Sequence, residues 1–542
     1  MEARRSGNFK ASIWDDDFLQ SLTSPYTAKE YLKQADKLKW QVKVIIKETK
    51  QRLDQLDLID NIQRLGISHH FRDEIQRVLQ NIYEKMRVEC PDRMLMEKDL
   101  YSTSLQFRLL RQHGYHVSQD VFCSFMDGAG NFQAVDDLKG ILALYEASFL
   151  SREGENILGS ARDFSTRHLK QKLEEITDPI LAEKIRRALE LPLHWRLQKL
   201  EAIWFINIYE SRFDANLILL QLAKLEFNMV QAQYQEDLKW LSRWYKETGL
   251  PEKMNFARDR LAECFLWALG FIPEAHLGQA RKILTKIAVL IVIMDDFYDI
   301  YGTLDEIKVF TEELQRWDIN ALDNLPEYMR ICFLAIFNTA NEIAYDILRD
   351  QGINIISNLR RLWAELGRVY YTEAKWYHSG YFPSTEEYLN VAWISITGPV
   401  LLFHAYFSIM NPIDMKELQY LEQYPGIIRW PSTVLRLADD LGTASDEIKR
   451  GDVPKSIQCY MHETGCSEEE AREYVKQLID TTLKKMNKEI LMEKPTNDFG
   501  ATAMNLARIS LFFYQYGDGF GVPHNQTKEN LVSLIVKPIC LT

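Results

Sequence analysis

The sequence predicts an all-α chain of two helical domains, on three observations. Glycine and proline are sparse, 24 and 16 in 542 residues, and strand-and-turn alternation is almost missing. Apolar residues recur instead at three- and four-residue spacing: Leu53, Leu56, Leu58, Ile59 and Ile62; Phe333, Leu334, Ile336 and Phe337; Val475, Ile479, Leu483 and Met486. A length of 542 residues also exceeds what a single core usually serves.

The elements follow in order. Residues 1–20 are polar, aromatic and irregular, an arm laid over another surface. Residues 21–221 read as paired amphipathic helices without the fixed period of a solenoid. LPLHWR at 191–196 and SRFDAN at 211–216 mark the approach to a boundary, and a second helical series spans 222–542. In that series Ile287 to Met294 reads IAVLIVIM. A run this apolar fits a buried strand or a buried helix, and the helical patterns on both sides favour the helix. SITGP at 395–399 puts Pro399 inside a helical pattern, which should kink it and free the carbonyls of Ser395, Ile396 and Thr397. Ser467 followed by three glutamates predicts a capping box at a helix start.

Composition narrows the classes. A net charge of −12 argues against nucleic acid or an anionic membrane surface as the main partner. Seven scattered cysteines without a CxxC pair read as reduced thiols in a non-secreted protein. No apolar stretch reaches the roughly 18 residues of a membrane span. The first residues, MEARRSGNF, carry no signal-peptide pattern, which fits a cytosolic protein or one trimmed of a targeting peptide.

Two acidic clusters carry the chemistry. DDFYD at 295–299 places Asp295 and Asp299 one helical turn apart, with Asp296 between them. DDLGTASDE at 439–447 places Asp439, Thr443 and Glu447 along one face. Oxygen-only sets of this kind suit hard divalent cations that share a phosphate group. With 77 acidic residues in the chain, adjacent carboxylates also arise as solvated surface, as at Asp15 to Asp17. The eight apolar residues leading into DDFYD weigh against that reading, because they carry the acids to the end of a buried element. Arg258 and Arg260 in FARDR fit either a solvated basic pair or two donors aimed at one oxyanion from a turn. Arg436 shares the face of Asp439, and Lys455 follows in a Gly-Pro loop placed to cover a phosphate.

The ordered set RRSGNFKASIW, LYSTSLQFRLLRQHGY, FARDR, DDFYDIYGTLDE, RLADDLGTASDE, RGDVPKSIQCYM and YQYGDGFG resembles plant class I terpene synthases over essentially the whole chain. Within that family it is similar to the cyclic monoterpene synthases. The resemblance implies an N-terminal α-barrel-like helical domain and a C-terminal class I helical bundle. It implies Mg²⁺, three ions, or Mn²⁺, held by Asp295, Asp296, Asp299, Asp439, Thr443 and Glu447. Arg258, Arg260, Arg436 and Lys455 would grip the diphosphate of geranyl diphosphate. Arg4, Arg5 and Trp14 would belong to an arm over the active site, and Trp267 and Tyr514 to an aromatic wall. Asp518 would compete with diphosphate itself for the final proton. Phe337, Asn338 and Ile396 are expected in the cavity wall. The N-terminal half has no DxDD cluster, so protonation-initiated chemistry has no evident acid. The resemblance further implies a plastid protein, alternatively a cytoplasmic one, acting as a monomer or weak homodimer. A sesquiterpene synthase using farnesyl diphosphate and a non-catalytic helical-repeat scaffold are the competing readings.

Overall fold

A computed structural model describes residues 4–88, 99–133, 137–450, 453–493, 498–520 and 525–541; the side chains of 88, 321, 445–450, 491–493 and 525–527 lie outside that description. Among the described residues every regular element is a helix, apart from one isolated bridge between Met126 and Phe132. The chain forms two compact units. One comprises Met1–Thr23, Gln233–Leu483 and Ala501–Val532; the other comprises Ser24–Ala232, Lys484–Gly500 and Ser533–Thr542.

This division differs from a boundary at 222. The polar SRFDAN stretch does interrupt the helices, but the next one, Leu217–Glu247, runs unbroken through the dividing point. Hydrogen bonding explains why the chain end joins the unit containing Ser24–Ala232. Asn228 exchanges two bonds with the backbone of Ile539, at 2.8 and 2.7 Å, and Gln231 donates to the carbonyls of Ser533, Leu534 and Lys537. The helix Arg52–Arg64 of that unit buries Leu56, Ile59 and Ile62 as its periodicity requires, while Leu53 is exposed.

The unit that holds the acidic clusters is built from α1 (Leu261–Phe271), α2 (Gly278–Asp296), α3 (Leu304–Arg316), α4 (Glu327–Gln351), α5 (Ile356–Ser379), α6 (Thr385–Ser395), α7 (Gly398–Ile409), α8 (Gly426–Arg450), α9 (Ser456–Thr464) and α10, whose residues Ala501–Phe513 belong here. The IAVLIVIM run is helical. It lies in α2, which is apolar all round because it packs against α1, α4 and α7. Beyond Asp296 the helix widens into a π-turn, Phe297–Tyr301, closed by Gly302 N–H on the Phe297 carbonyl at 2.8 Å. Such wide turns recur at functional sites.

The expected break at Pro399 is present between α6 and α7. Thr397 there has φ of +74°, a conformation costly for a β-branched residue. Its carbonyl is not free, since it accepts from Leu401 N–H at 3.1 Å; Ser395's is the one that Pro399, lacking an N–H, cannot serve. Ser467 and Glu470 form the expected reciprocal cap, at 3.3 and 2.9 Å. Two stretches, Glu327–Gln351 and Thr385–Ile409, do reach the length and apolarity of a membrane span; both are helices of this unit, and the second is the broken α6–α7 pair.

Candidate active site

Asp295, Asp299 and Asp439 line a single cavity together with Arg258, Arg436 and Lys455. Each cluster is held differently. The loop before α1 turns Arg258 onto the end of α2, where its Nη2 donates to Asp295 at 2.6 Å and its Nε stands 2.8 Å from Asp296. The Arg258 backbone N–H also donates to Asp296, at 2.6 Å. Burial alone would lower the Arg258 guanidinium, but Asp296 and Asp295 outweigh it and hold it well above its ordinary value. Burial pushes the Asp296 carboxyl up to about 6 against the pull of Arg258. Tyr370 on α5 completes this end, its hydroxyl raised by burial and by Asp295 and Asp299.

The second cluster is built largely within α8. Arg436 donates to Asp439 at 3.1 Å and to Asp440 at 3.2 Å, one turn along its own helix. Asp440 is fully buried and also accepts from Tyr388 at 3.0 Å and from the Ser456 N–H at 3.1 Å, which starts α9 beside Lys455. Arg436 reaches across to the helix break as well, with Nε on the Ala392 carbonyl at 3.2 Å. Burial lowers it; Tyr388, Asp440 and Asp439 raise it further, so it stays charged.

Much of the remaining lining is apolar. Leu284, Ala288, Ile291, Val292, Leu401 and Leu435 contribute, and Trp267 stands in the wall stacked on Phe513 at 4.9 Å. Tyr514 and Ile396 line it too. The C-terminal loop approaches α8 so closely that a Cβ on Gly442 would lie 3.0 Å from the Gly517 carbonyl and from Tyr514.

The arm lies on this same unit. Arg4 forms a two-pronged pair with Glu306, at 2.8 and 2.7 Å, and stands over the rings of Tyr301 and Tyr328. Arg5 donates to the carbonyl of Asp299 at 3.1 Å and lies 4.4 Å from the Tyr377 ring centre. Trp14 is buried beside Phe18, and Asp16 anchors the arm on Ser242 and Lys246.

Some expected residues stand elsewhere. Arg260 does not line the cavity; it donates to the carbonyls of Lys10 and Asp259. Asp296 is buried against Arg258, so it anchors that arginine and lies outside the lining. Thr443 donates its hydroxyl to the Asp439 carbonyl at 3.0 Å and is buried one turn behind the lining. The Glu447 side chain lies outside the described residues. Phe337 packs on Trp317 at 5.3 Å and Asn338 is exposed, so neither borders the cavity. Asp518 is buried and adds to the field on Arg258.

Sequence reasoning passed over Tyr370, Glu373 and Asp440. Glu373 lines the cavity and accepts from Ser395 Oγ at 2.6 Å. The signal was present: Glu373 extends the apolar stripe Leu359, Leu362, Leu366 and Tyr370, and a carboxylate on a core stripe calls for a partner.

The donor set fits a hard divalent cation. Four carboxylates, Asp295, Asp299, Glu373 and Asp439, line it with oxygen donors, and Cys264, the sulfur in the lining, is raised by burial and stays a protonated thiol. Family models agree: residues 13–189 match "Terpene synthase, N-terminal domain" and residues 246–485 match "Terpene synthase family, metal binding domain". The chain belongs to the terpene synthase family. It is 64% identical to an exo-alpha-bergamotene synthase of Lavandula angustifolia over 99% of both chains. It is 59% identical to an alpha-zingiberene synthase of Ocimum basilicum over 100% of both. A myrcene synthase of Quercus ilex, named as chloroplastic, is 50% identical over 99% of this chain and 90% of its own. Among solved structures, a limonene synthase with 2-fluorolinalyl diphosphate superimposes at a TM-score of 0.97, with 44% identity, covering 99% of this chain and 100% of that one. An isoprene synthase from grey poplar, with three Mg²⁺ and dimethylallyl-S-thiolodiphosphate, does so at 0.89, with 45% identity over 98% and 99%. This terpene synthase is therefore an enzyme acting on prenyl diphosphates, with a metal-binding domain, and the scaffold reading falls.

Proposed function

We propose that this terpene synthase ionises geranyl diphosphate and closes a ring on the resulting carbocation, releasing diphosphate and a cyclic monoterpene. The observation that carries the reading is the mixed lining of one cavity: carboxylates, Arg258, Arg436 and Lys455 face the same space as aliphatic and aromatic walls. Asp295, Asp299, Asp439 and their neighbours would hold Mg²⁺ or Mn²⁺, which would supply charge neutralisation for the leaving group. Arg258, Arg436 and Lys455 supply the remaining positive charge, exchanging carboxylate partners for phosphate oxygens. No base is needed to start the reaction. Once the allylic C–O bond breaks, the faces of Trp267 and Tyr514 each stabilise the cation by about 0.5–2 kcal/mol. The Ser395 carbonyl, denied an N–H by Pro399, adds a dipole at the same wall. The arm closes the cavity against water through Arg5 on the Asp299 carbonyl. Asp518 or the departing diphosphate takes the final proton.

A second reading has its own support. The bergamotene and zingiberene synthases, 64% and 59% identical, are named for sesquiterpenes, which favours farnesyl diphosphate cyclised through the same six-membered closure. Gas chromatography–mass spectrometry of products from both diphosphates, with Mg²⁺ and with Mn²⁺, separates the two. A kcat/KM at least about tenfold higher for geranyl diphosphate supports the first reading; the reverse ratio moves the substrate to farnesyl diphosphate. No product from either overturns both. We assign the protein to the plastid on the name of the oak relative; detection only in cytosol would contradict that.

A further inference from the structure

Far along the chain from both acidic clusters, within the unit containing Ser24–Ala232, two imidazoles converge on one carboxylate. His69 and His70 lie on the short turn Ser68–Phe71, and Glu226 on the helix Leu217–Glu247. The Nε2 of His69 stands 3.3 Å from Glu226 Oε1, and the Nε2 of His70 stands 3.0 Å from the same oxygen. All three donor atoms lie within 4.8 Å of one another. We propose that His69, His70 and Glu226 bind a zinc ion, with water as the fourth ligand.

Three features support the assignment. First, donors at about 2.0–2.1 Å from a shared zinc, at tetrahedral angles, stand about 3.3 Å apart. The two histidine–glutamate separations, 3.3 and 3.0 Å, sit close to that edge. Second, His70 Nε2 is buried, yet at 3.0 Å it makes no hydrogen bond, so the nitrogen is aimed off the line to the carboxylate. A nitrogen that converges with that oxygen on a common third point has this orientation. Third, Lys39 stands 4.0 Å from the other carboxylate oxygen, Glu226 Oε2, leaving Oε1 as a one-oxygen ligand. Two nitrogen donors select zinc-like ions over Mg²⁺, so this site and the catalytic one divide by metal chemistry. His69 is partly exposed, giving the ion an entry path and room for its water. The ion would fasten the Ser68–Phe71 turn to the helix that carries Glu226.

The test uses the full chain, freed of any polyhistidine tag, titrated with Co²⁺ in excess Mg²⁺. Tetrahedral Co²⁺ absorbs far more strongly in the visible than the octahedral, all-oxygen form that a carboxylate site gives. The expected result is one strongly absorbing Co²⁺ per chain, displaced by Zn²⁺. His69→Ala and Glu226→Gln should each abolish that spectrum and weaken Zn²⁺ binding by at least about tenfold. The half-exposed His69→Ala keeps the test open should Glu226→Gln fold poorly. No such spectrum in the parent chain, or an unchanged one in folded His69→Ala, overturns the site and leaves only a hydrogen-bonded cluster around Glu226.

Discussion

The two acidic clusters face the same cavity, but they are made in different ways. Asp295 and Asp299 stand where α2 runs out into a π-turn, and segments distant in sequence hold them: Arg258 from a loop, Tyr370 from α5, Arg5 from the arm. Asp439 sits within α8, and its partner Arg436 is on the same helix, locked by Asp440, Tyr388 and the start of α9. The first cluster is assembled by parts that can separate, and the second is wired into the core. Breaking the first should cost chemistry; breaking the second should cost the fold.

The largest expected effect is on stability. Asp440→Ala takes one of two carboxylate partners from the buried Arg436 and removes the acceptor of Tyr388 and Ser456 N–H, a loss of about 3 kcal/mol. Denaturant unfolding measures it, and a loss below about 1 kcal/mol would erase the contrast between the clusters. Next comes Asp295→Ala. Its side chain is 30% exposed, so the helical circular dichroism should persist while turnover falls by roughly 100- to 1000-fold. Turnover that survives would remove Asp295 from the ligand set. The smallest effect concerns the arm. Deleting residues 1–14 removes Arg4, Arg5 and Lys10 from their partners, and should reduce turnover of geranyl diphosphate about tenfold more than that of linalyl diphosphate. Equal losses would leave the arm a cover with no part in isomerisation.

Helix type and the three aspartates that line the cavity were legible because each rests on local pattern. The IAVLIVIM run ahead of DDFYD, the Pro399 break and the Ser467 cap all follow from residues within a turn or two of one another. What depended on packing was not legible. Arg258 and Arg260 look equivalent in sequence, and only the path of the loop before α1 sends one to Asp295 and the other to Lys10. Asp296 and Asp440 sit beside ligands, yet serve arginines, because the helix turns each second carboxylate into the protein. Phe337 lies on a periodic apolar face, but that face meets Trp317 and not the cavity. The two compact units part at 232/233 and not at 222 for a related reason: a helix runs through the dividing point without any change in periodicity.

The account centres on both clusters jointly holding metal against a diphosphate. Calorimetric titration of inorganic diphosphate tests this without any product chemistry, in the parent chain, Asp295→Asn and Asp439→Asn, each with and without Mg²⁺. The account predicts binding in the parent only when Mg²⁺ is present, weakened at least about tenfold in either variant. Equal binding without Mg²⁺, or undiminished binding in both variants, would contradict it.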